Sequence, residues 1–193
     1  GEMVSAAPEF VYYLLNKPAG CVSATEDRND RTVMEYVPSD RKGLFPVGRL
    51  DKDSEGLLLM TNNGDIINRM MRAANKHEKE YKVTVDKPVT DEFLKEMAGG
   101  VPILDTVTRP CQVEKLGKYK FKIILTQGLN RQIRRMCEAL GYEVKELRRV
   151  RIMNIELGNL KPGEYRKVTD QELNELYELI RDSKSEPTPW NNN

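Results

Sequence analysis

Every apolar run in this chain is short. The longest, Phe10 to Leu15 and Leu57 to Met60, fall far below the roughly 18 residues that a membrane-spanning helix requires. Each is closed by turn formers, Asn16-Lys-Pro-Ala-Gly20 in one case and Asn62-Asn-Gly64 in the other. Runs of this kind, rich in β-formers, read as buried strands that leave through turns. A chain made of such pieces must build its core by packing sheet against helix.

The remaining segments fit that plan. Leu44 to Val47 is short and apolar, Tyr81-Lys-Val-Thr-Val85 alternates with period two, and Val107 to Val113 and Tyr119 to Leu125 are further strand candidates. Val144 to Leu157 reads as one or two more. Helical spacing appears over Asp65 to Ala74, with Ile66, Ile67, Met70 and Met71 on one face. It recurs after the cap Thr90, with Phe93, Leu94 and Met97 before the stop at Gly99-Gly100. Asn130 is expected to cap a helix from Arg131 to Leu140, in which Ile133, Met136, Cys137 and Leu140 form the apolar stripe and Gly141 the stop. Thr169-Asp-Gln-Glu172 is a capping-box pattern that opens a helix carrying Leu173, Leu176, Tyr177 and Ile180. Strands interrupted irregularly by short helices predict an α+β fold with a mixed, largely antiparallel central sheet and flanking helices. Residues 1–8 and 183–193 show no such pattern and are expected to be disordered, leaving one domain over 9–182.

Composition narrows the chemistry. The 193 residues include one His and three widely spaced Cys. That supply suits neither a zinc site nor a disulfide framework, and it suits a reducing cytoplasm. Neither GxGxxG nor GxxxxGK[ST] occurs, so no metal, nucleotide or other cofactor is expected. Any catalysis must run on carboxylates, Tyr, Lys or Arg. Lys+Arg number 31 against 30 Asp+Glu, but the charges are segregated. Arg69 to Lys82 holds five basic residues against two acidic, Arg131 to Arg151 seven against three, and Glu164 to Glu186 four against seven. Basic patches opposite an acidic helix suggest a face for a polyanion; solvated helix faces would produce the same count.

Gly48-Arg-Leu-Asp-Lys-Asp-Ser-Glu-Gly56 carries acids at 51, 53 and 55. The alternation resembles the start of a calcium loop, but Asn62 stands where the bidentate Glu would be needed. Taken alone, the segment reads as a solvated turn. Asp51 with Asp53 or Glu55 as a glycosidase pair is a weaker reading, because residues two apart on a strand do not converge on one sugar from both sides.

Together with Asn16-Lys17-Pro18, Lys79-Glu-Tyr81 and Gly128-Leu-Asn-Arg-Gln-Ile-Arg-Arg-Met136, this segment resembles the ordered signature of the pseudouridine synthases, and within them the RsuA branch, over about Phe10 to Ile180. The resemblance implies two lobes around an RNA-binding cleft. It also implies a cofactor-free, monomeric isomerase that flips a uridine out of a stem-loop or junction of large-subunit ribosomal RNA, with no membrane partner. It assigns the essential carboxylate to Asp51, which attacks C1′ or C6 or takes a ribose proton in a glycal route. Arg134 becomes its ion-pair partner and Tyr81 the aromatic face for the uracil. Arg49, Lys76, Lys79, Asn130, Arg131, Gln132 and Arg135 are expected to meet RNA, with Arg148, Arg149 and Arg151 as further phosphate contacts. Lys17-Pro18 is expected to shape a turn beneath the cleft. A binding-only ribosome-assembly module is the competing reading.

Two departures stand out. Ser54-Glu55 replaces the small pair common in the family before the glycine. The S4-like domain with which the branch usually begins is expected to be missing, since only Gly1 to Glu9 precede the motifs, and weaker RNA binding is the expected consequence.

Overall fold

The computed structural model describes residues 9–38 and 43–181. The two terminal segments expected to be disordered, 1–8 and 183–193, lie outside the described residues. Strands β1 Tyr12–Lys17, β2 Phe45–Pro46, β3 Glu55–Thr61, β4 Lys79–Val85, β5 Pro102–Ile103, β6 Thr106–Val107, β7 Gln112–Gly117, β8 Lys120–Leu125, β9 Val144–Ile152, β10 Ile155–Glu156 and β11 Tyr165–Lys167 alternate with helices α1 Gly64–Ala73, α2 Asp91–Gly99, α3 Gln132–Ala139 and α4 Asp170–Arg181. Nine strands form one sheet in the order β11-β1-β3-β9-β4-β8-β7, with β10 on β9 and β2 on β3. The expected α+β class and largely antiparallel sheet are therefore seen. Among the described residues, the one parallel strand pairing within it joins β3 to β9 through Glu55↔Arg148 and Gly56↔Arg149.

That seam separates two ways of burying a sheet. On the β1–β3 side both faces are covered. Leu14, Leu57 and Leu59 pack with α1 and α4, while Tyr13, Leu15, Leu58 and Met60 pack under Val33, Leu44 and Leu50. Double coverage is why Leu57 to Met60 is an unbroken apolar run. On the β4–β8 side one face is covered by α2 and α3, through Val83, Val85, Phe121, Ile123, Phe93, Ile133 and Met136. The strands there alternate, as the Tyr81–Val85 pattern requires.

Gly56 makes the seam possible. Its φ is +111°, and a Cβ at this position would stand 2.2 Å from the Arg149 carbonyl oxygen and 2.6 Å from its nitrogen. Only a residue without a side chain lets β3 approach β9.

Three boundaries differ from expectation for local reasons. The single strand expected over Val107 to Val113 is broken between β6 and β7, where Pro110 can donate no ladder hydrogen bond. Asn130 does not cap α3. The cap position is Arg131, in the left-handed region at φ 49°, ψ 39°, without a side-chain cap bond, and the Asn130 carboxamide oxygen instead accepts from Arg135 Nη2 at 2.9 Å. β11 had no sequence signal of its own; its three residues are held by Leu14 and its neighbours on β1.

The capping box at α4 forms as read. Thr169 Oγ1 accepts from the Glu172 amide at 3.1 Å, and Glu172 Oε1 accepts from the Thr169 amide at 2.9 Å. Arg166 adds a two-armed pair, both arms 2.8 Å, and together these bonds hold the Glu172 carboxyl down at about 2. A carboxyl depressed from 4.5 stabilises the fold fully above that value and progressively less as pH falls toward 2. Glu172→Gln is expected to lower Tm at pH 7 and to leave it nearly unchanged at pH 2, a contrast that thermal melts at the two pH values read directly.

Candidate active site

Asp51 sits on a turn built to hold it. The Ser54 amide donates to the Asp51 carbonyl at 3.0 Å, closing a four-residue turn that delivers the chain into β3. On the near side, Ser23 Oγ both donates to the Leu50 carbonyl at 3.0 Å and accepts from the Leu50 amide at 3.1 Å. The Lys52 carbonyl accepts from the Gly20 amide at 2.7 Å, and the Lys52 ammonium meets Asp30 at 2.7 Å.

Beneath the turn lies Lys17, fully buried at the end of β1. Its three ammonium protons go to the carbonyls of Pro18, Lys52 and Ser54 at 2.9, 3.2 and 2.7 Å. Burial lowers its pKa, against the pull of Cys21 and the acids at 53, 55 and 51. Lys17 thus does more than shape its own turn. Lys17→Met would take the ammonium away from all three carbonyls at once and is expected to cost about 2–4 kcal/mol. Denaturant melts check the figure.

The cation at the Asp51 carboxylate is not the one expected. Arg131 Nη1 stands 3.0 Å from Asp51 Oδ2, and Arg131 Nη2 reaches Asp53 Oδ2 at 3.5 Å. Arg134, named for the role by motif position, pairs instead with Asp53 at 3.6 Å and donates from Nη2 to the Asp53 carbonyl at 3.2 Å and Ser54 Oγ at 3.0 Å. The reason is geometric. Arg131 and Arg134 lie one helical turn apart, and the Arg134 side chain is spent on bracing the 53–54 backbone. The Arg131–Asp51 contact is close enough for an ion pair, yet Oδ2 is buried and accepts no hydrogen bond. The Asp51 side chain is only 11 % exposed. Burial raises its pKa above the ordinary 3.8; Arg131 is the first of the cations that pull it back, ahead of Arg134 and Lys17, while Asp53 pushes it further up.

Tyr81 is 1 % exposed and belongs to the β4–β8 core, so it presents no open face of the kind expected for uracil. Its register places it opposite Arg149, which in turn lies opposite Gly56. Tyr81 is therefore two strand spacings, about 10 Å, from the start of β3. Its hydroxyl is hydrogen-bonded to the Arg149 guanidinium, whose Nε donates to the Leu57 carbonyl at 3.0 Å.

Several residues expected to meet RNA prove to be interior or internally paired. Lys79 is buried with its ammonium on the carbonyls of Ala74 and Thr126 at 2.7 and 2.9 Å; burial, with Arg149 and Arg109 nearby, pushes it down to about 7. Gln132 is buried, its side chain closing the 127–132 loop onto the Leu129 amide and Gln127. Arg149 is buried as described, and Arg151 is paired with Glu78 and Glu80 at 3.0 and 3.1 Å. Arg148 meets Glu55 at 3.7 Å, so the acid that departs from the family pattern is turned onto β9. Arg49, Lys76 and Asn130 are exposed, and Arg131 and Arg135 are partly so. Much of the basic excess of Arg131 to Arg151 is thus consumed inside the fold.

Two positions had a signal that went unused. Arg149 is two residues from the buried Leu147 on the same strand, and period two places both on one face. Lys17 directly ends an apolar strand, where a lysine must find carbonyls. Among the described residues, no group of three His, Cys, Asp or Glu is placed to hold a metal ion.

The structure thus brings together a carboxylate largely sheltered from water, Arg131 paired to it, and Arg134 bracing the turn that carries it. The family model for RNA pseudouridylate synthase matches residues 11–139, a span holding Asp51, Tyr81 and both arginines. The chain belongs to the RNA pseudouridine synthase family. It is 55 % identical over 183 residues to the dual-specificity RNA pseudouridine synthase RluF of Shigella flexneri, a match covering 95 % of this chain and 63 % of that protein. It is 37 % identical over 177 residues to an uncharacterized RNA pseudouridine synthase of Aquifex aeolicus, covering 89 % of this chain and 73 % of that one. A crystal structure of a pseudouridylate synthase superposes with a TM-score of 0.80 at 33 % identity, covering 87 % of this chain and 74 % of that one. The chain spans somewhat under two thirds of the length of its RluF relative.

Proposed function

We propose that this chain isomerises uridine to pseudouridine in large-subunit ribosomal RNA, acting as a monomer in the cytoplasm on a base turned out of a stem-loop or junction. The reaction breaks the bond between N1 and C1′, rotates the freed uracil, and joins C5 to C1′. Nothing is added or removed overall, so the residues present suffice. The observation that carries the reading is the Asp51 carboxylate, mostly buried, with Oδ2 unbonded and arginines at hand. Attack at C1′, attack at C6 and the glycal route all begin from that carboxylate in its ionised form.

Arg134 holds the turn that carries Asp51 and adds positive charge to it, a positioning role. Tyr81 forms the floor of the site through Arg149; a uracil that stacks on it must first displace what covers the ring. Arg49, Lys76, Asn130, Arg131 and Arg135 supply the exposed donors for RNA phosphate and bases. The RluF relatives carry the description dual-specificity, and more than one RNA site is proposed here on that likeness.

The direct test is release of tritium from C5-labelled uridine in large-subunit rRNA, followed by mapping of the modified position. Release with pseudouridine at a defined site supports the reading. RNA binding without release on any rRNA would replace it with the binding-only module.

A further inference from the structure

We infer that Arg131 is an exchangeable cover for the catalytic carboxylate, pairing with Asp51 and Asp53 in the free protein and transferring to an RNA backbone phosphate when substrate binds. The inference rests on the proposed function and deepens it.

Three features of Arg131 set it apart from its neighbour Arg134. Its side chain is 39 % exposed, against 10 % for Arg134, so one edge of the guanidinium faces solvent while the other covers Asp51. Its side-chain contacts are all to carboxylates: an ion pair with Asp51 at 3.0 Å, made without a hydrogen bond to Oδ2, and two long hydrogen bonds donated to Asp53 at 3.5 Å. Arg134 by contrast is tied to a carbonyl and a hydroxyl of the turn backbone and its Ser54 side chain. Finally, Arg131 stands in the left-handed region immediately before α3, the residue on which the helix direction turns.

An ion pair made without a hydrogen bond, backed only by two long hydrogen bonds to an exposed carboxylate and partly in water, is readily traded for another anion of higher charge density. A phosphate offers two oxygens to the guanidinium fork, as a carboxylate does, and arrives with every substrate. Departure of Arg131 leaves Asp51 facing Arg134 from α3, Lys17 from β1 and Asp53 from its own turn. The carboxylate is uncovered at the moment the RNA docks, and its attraction for a fixed cation, which would blunt a nucleophile or base, is relaxed.

The test separates free from bound enzyme. The acid limb of kcat/KM reports the free protein, and that of kcat reports the RNA complex. Arg131→Gly, which suits the left-handed backbone, is expected to move the kcat/KM limb to higher pH and leave the kcat limb where it is in the wild type. It should also reduce the slope of log binding constant against log salt by about one phosphate's worth, roughly 0.7–0.9. Arg131→Lys should restore most of the slope. Circular dichroism confirms the fold of both variants. If both acid limbs move together, Arg131 stays on Asp51 in the complex and the exchange is wrong; an unchanged salt slope overturns it equally. Should wild type form no pseudouridine on any rRNA, the proposed function fails instead, while NMR titration of the Asp51 carboxyl in the free protein, with and without Arg131, still shows whether the cover exists.

Discussion

Asp51→Asn is expected to abolish tritium release, with a loss of at least about 1000-fold, while melting no lower than the wild type at pH 7. The two halves of this result have one cause. Asparagine keeps the shape of the side chain and its place on a turn fixed by Ser23, Lys17 and the Ser54 amide, none of which bonds to the carboxylate oxygens. What it removes is a charge that burial disfavours. A carboxyl whose pKa is raised on folding binds protons more readily in the native state, so stability falls as pH rises through the window between 3.8 and the folded value. At pH 7 the wild type bears that cost in full, and the neutral variant does not. A variant that loses activity and also several degrees of Tm would mean that Asp51 is part of the scaffold. One that retains activity would remove it from the chemistry.

Gly56→Ala is expected to be far more damaging to structure than its size suggests. A Cβ at 2.2 Å from one backbone atom of Arg149 and 2.6 Å from another cannot be relieved by a rotamer change, because the obstacle is the neighbouring strand itself. The φ of +111° adds strain for any residue with a side chain. More than about 4 kcal/mol is expected, enough to leave most of a marginal domain unfolded. Gly20→Ala is the control. Its φ is similar, +98°, but nothing lies within 4 Å of the added carbon. It should cost about 1–2 kcal/mol from backbone strain alone. Similar Tm losses for the two would show that close approach at the seam is not what makes Gly56 necessary.

The sequence made the elements legible and left the long-range joints hidden. Thr90 and the Thr169-Asp-Gln-Glu172 box announce helices because capping is local. Leu57 to Met60 announces a doubly covered strand because every position is apolar. The pairing of β3 with β9 has no such mark, and it is what brings Tyr81, Arg149 and Gly56 into one row. The site was legible in part. The motif marks Asp51 as a candidate, but which of Arg131 and Arg134 pairs with it depends on where a side chain ends, not on its spacing. Counting charges along Arg131 to Arg151 misjudged the surface, because a strand in mid-sheet buries every second residue whether or not it is basic. Lys79 and Arg149 are interior on that account.

The β3–β9 seam has a kinetic corollary. It ties Leu57 to Arg149 across 92 positions of chain, and the β1 edge closes over a longer span still, where β11 pairs Arg166 with Leu14; only pairs such as β7–β8 are local hairpins. Loops that long close late, since their entropy must be met before the contacts repay it. During refolding the hairpins and helices should therefore register in circular dichroism before the seam zips, and catalytic competence should return in a slower phase than secondary structure.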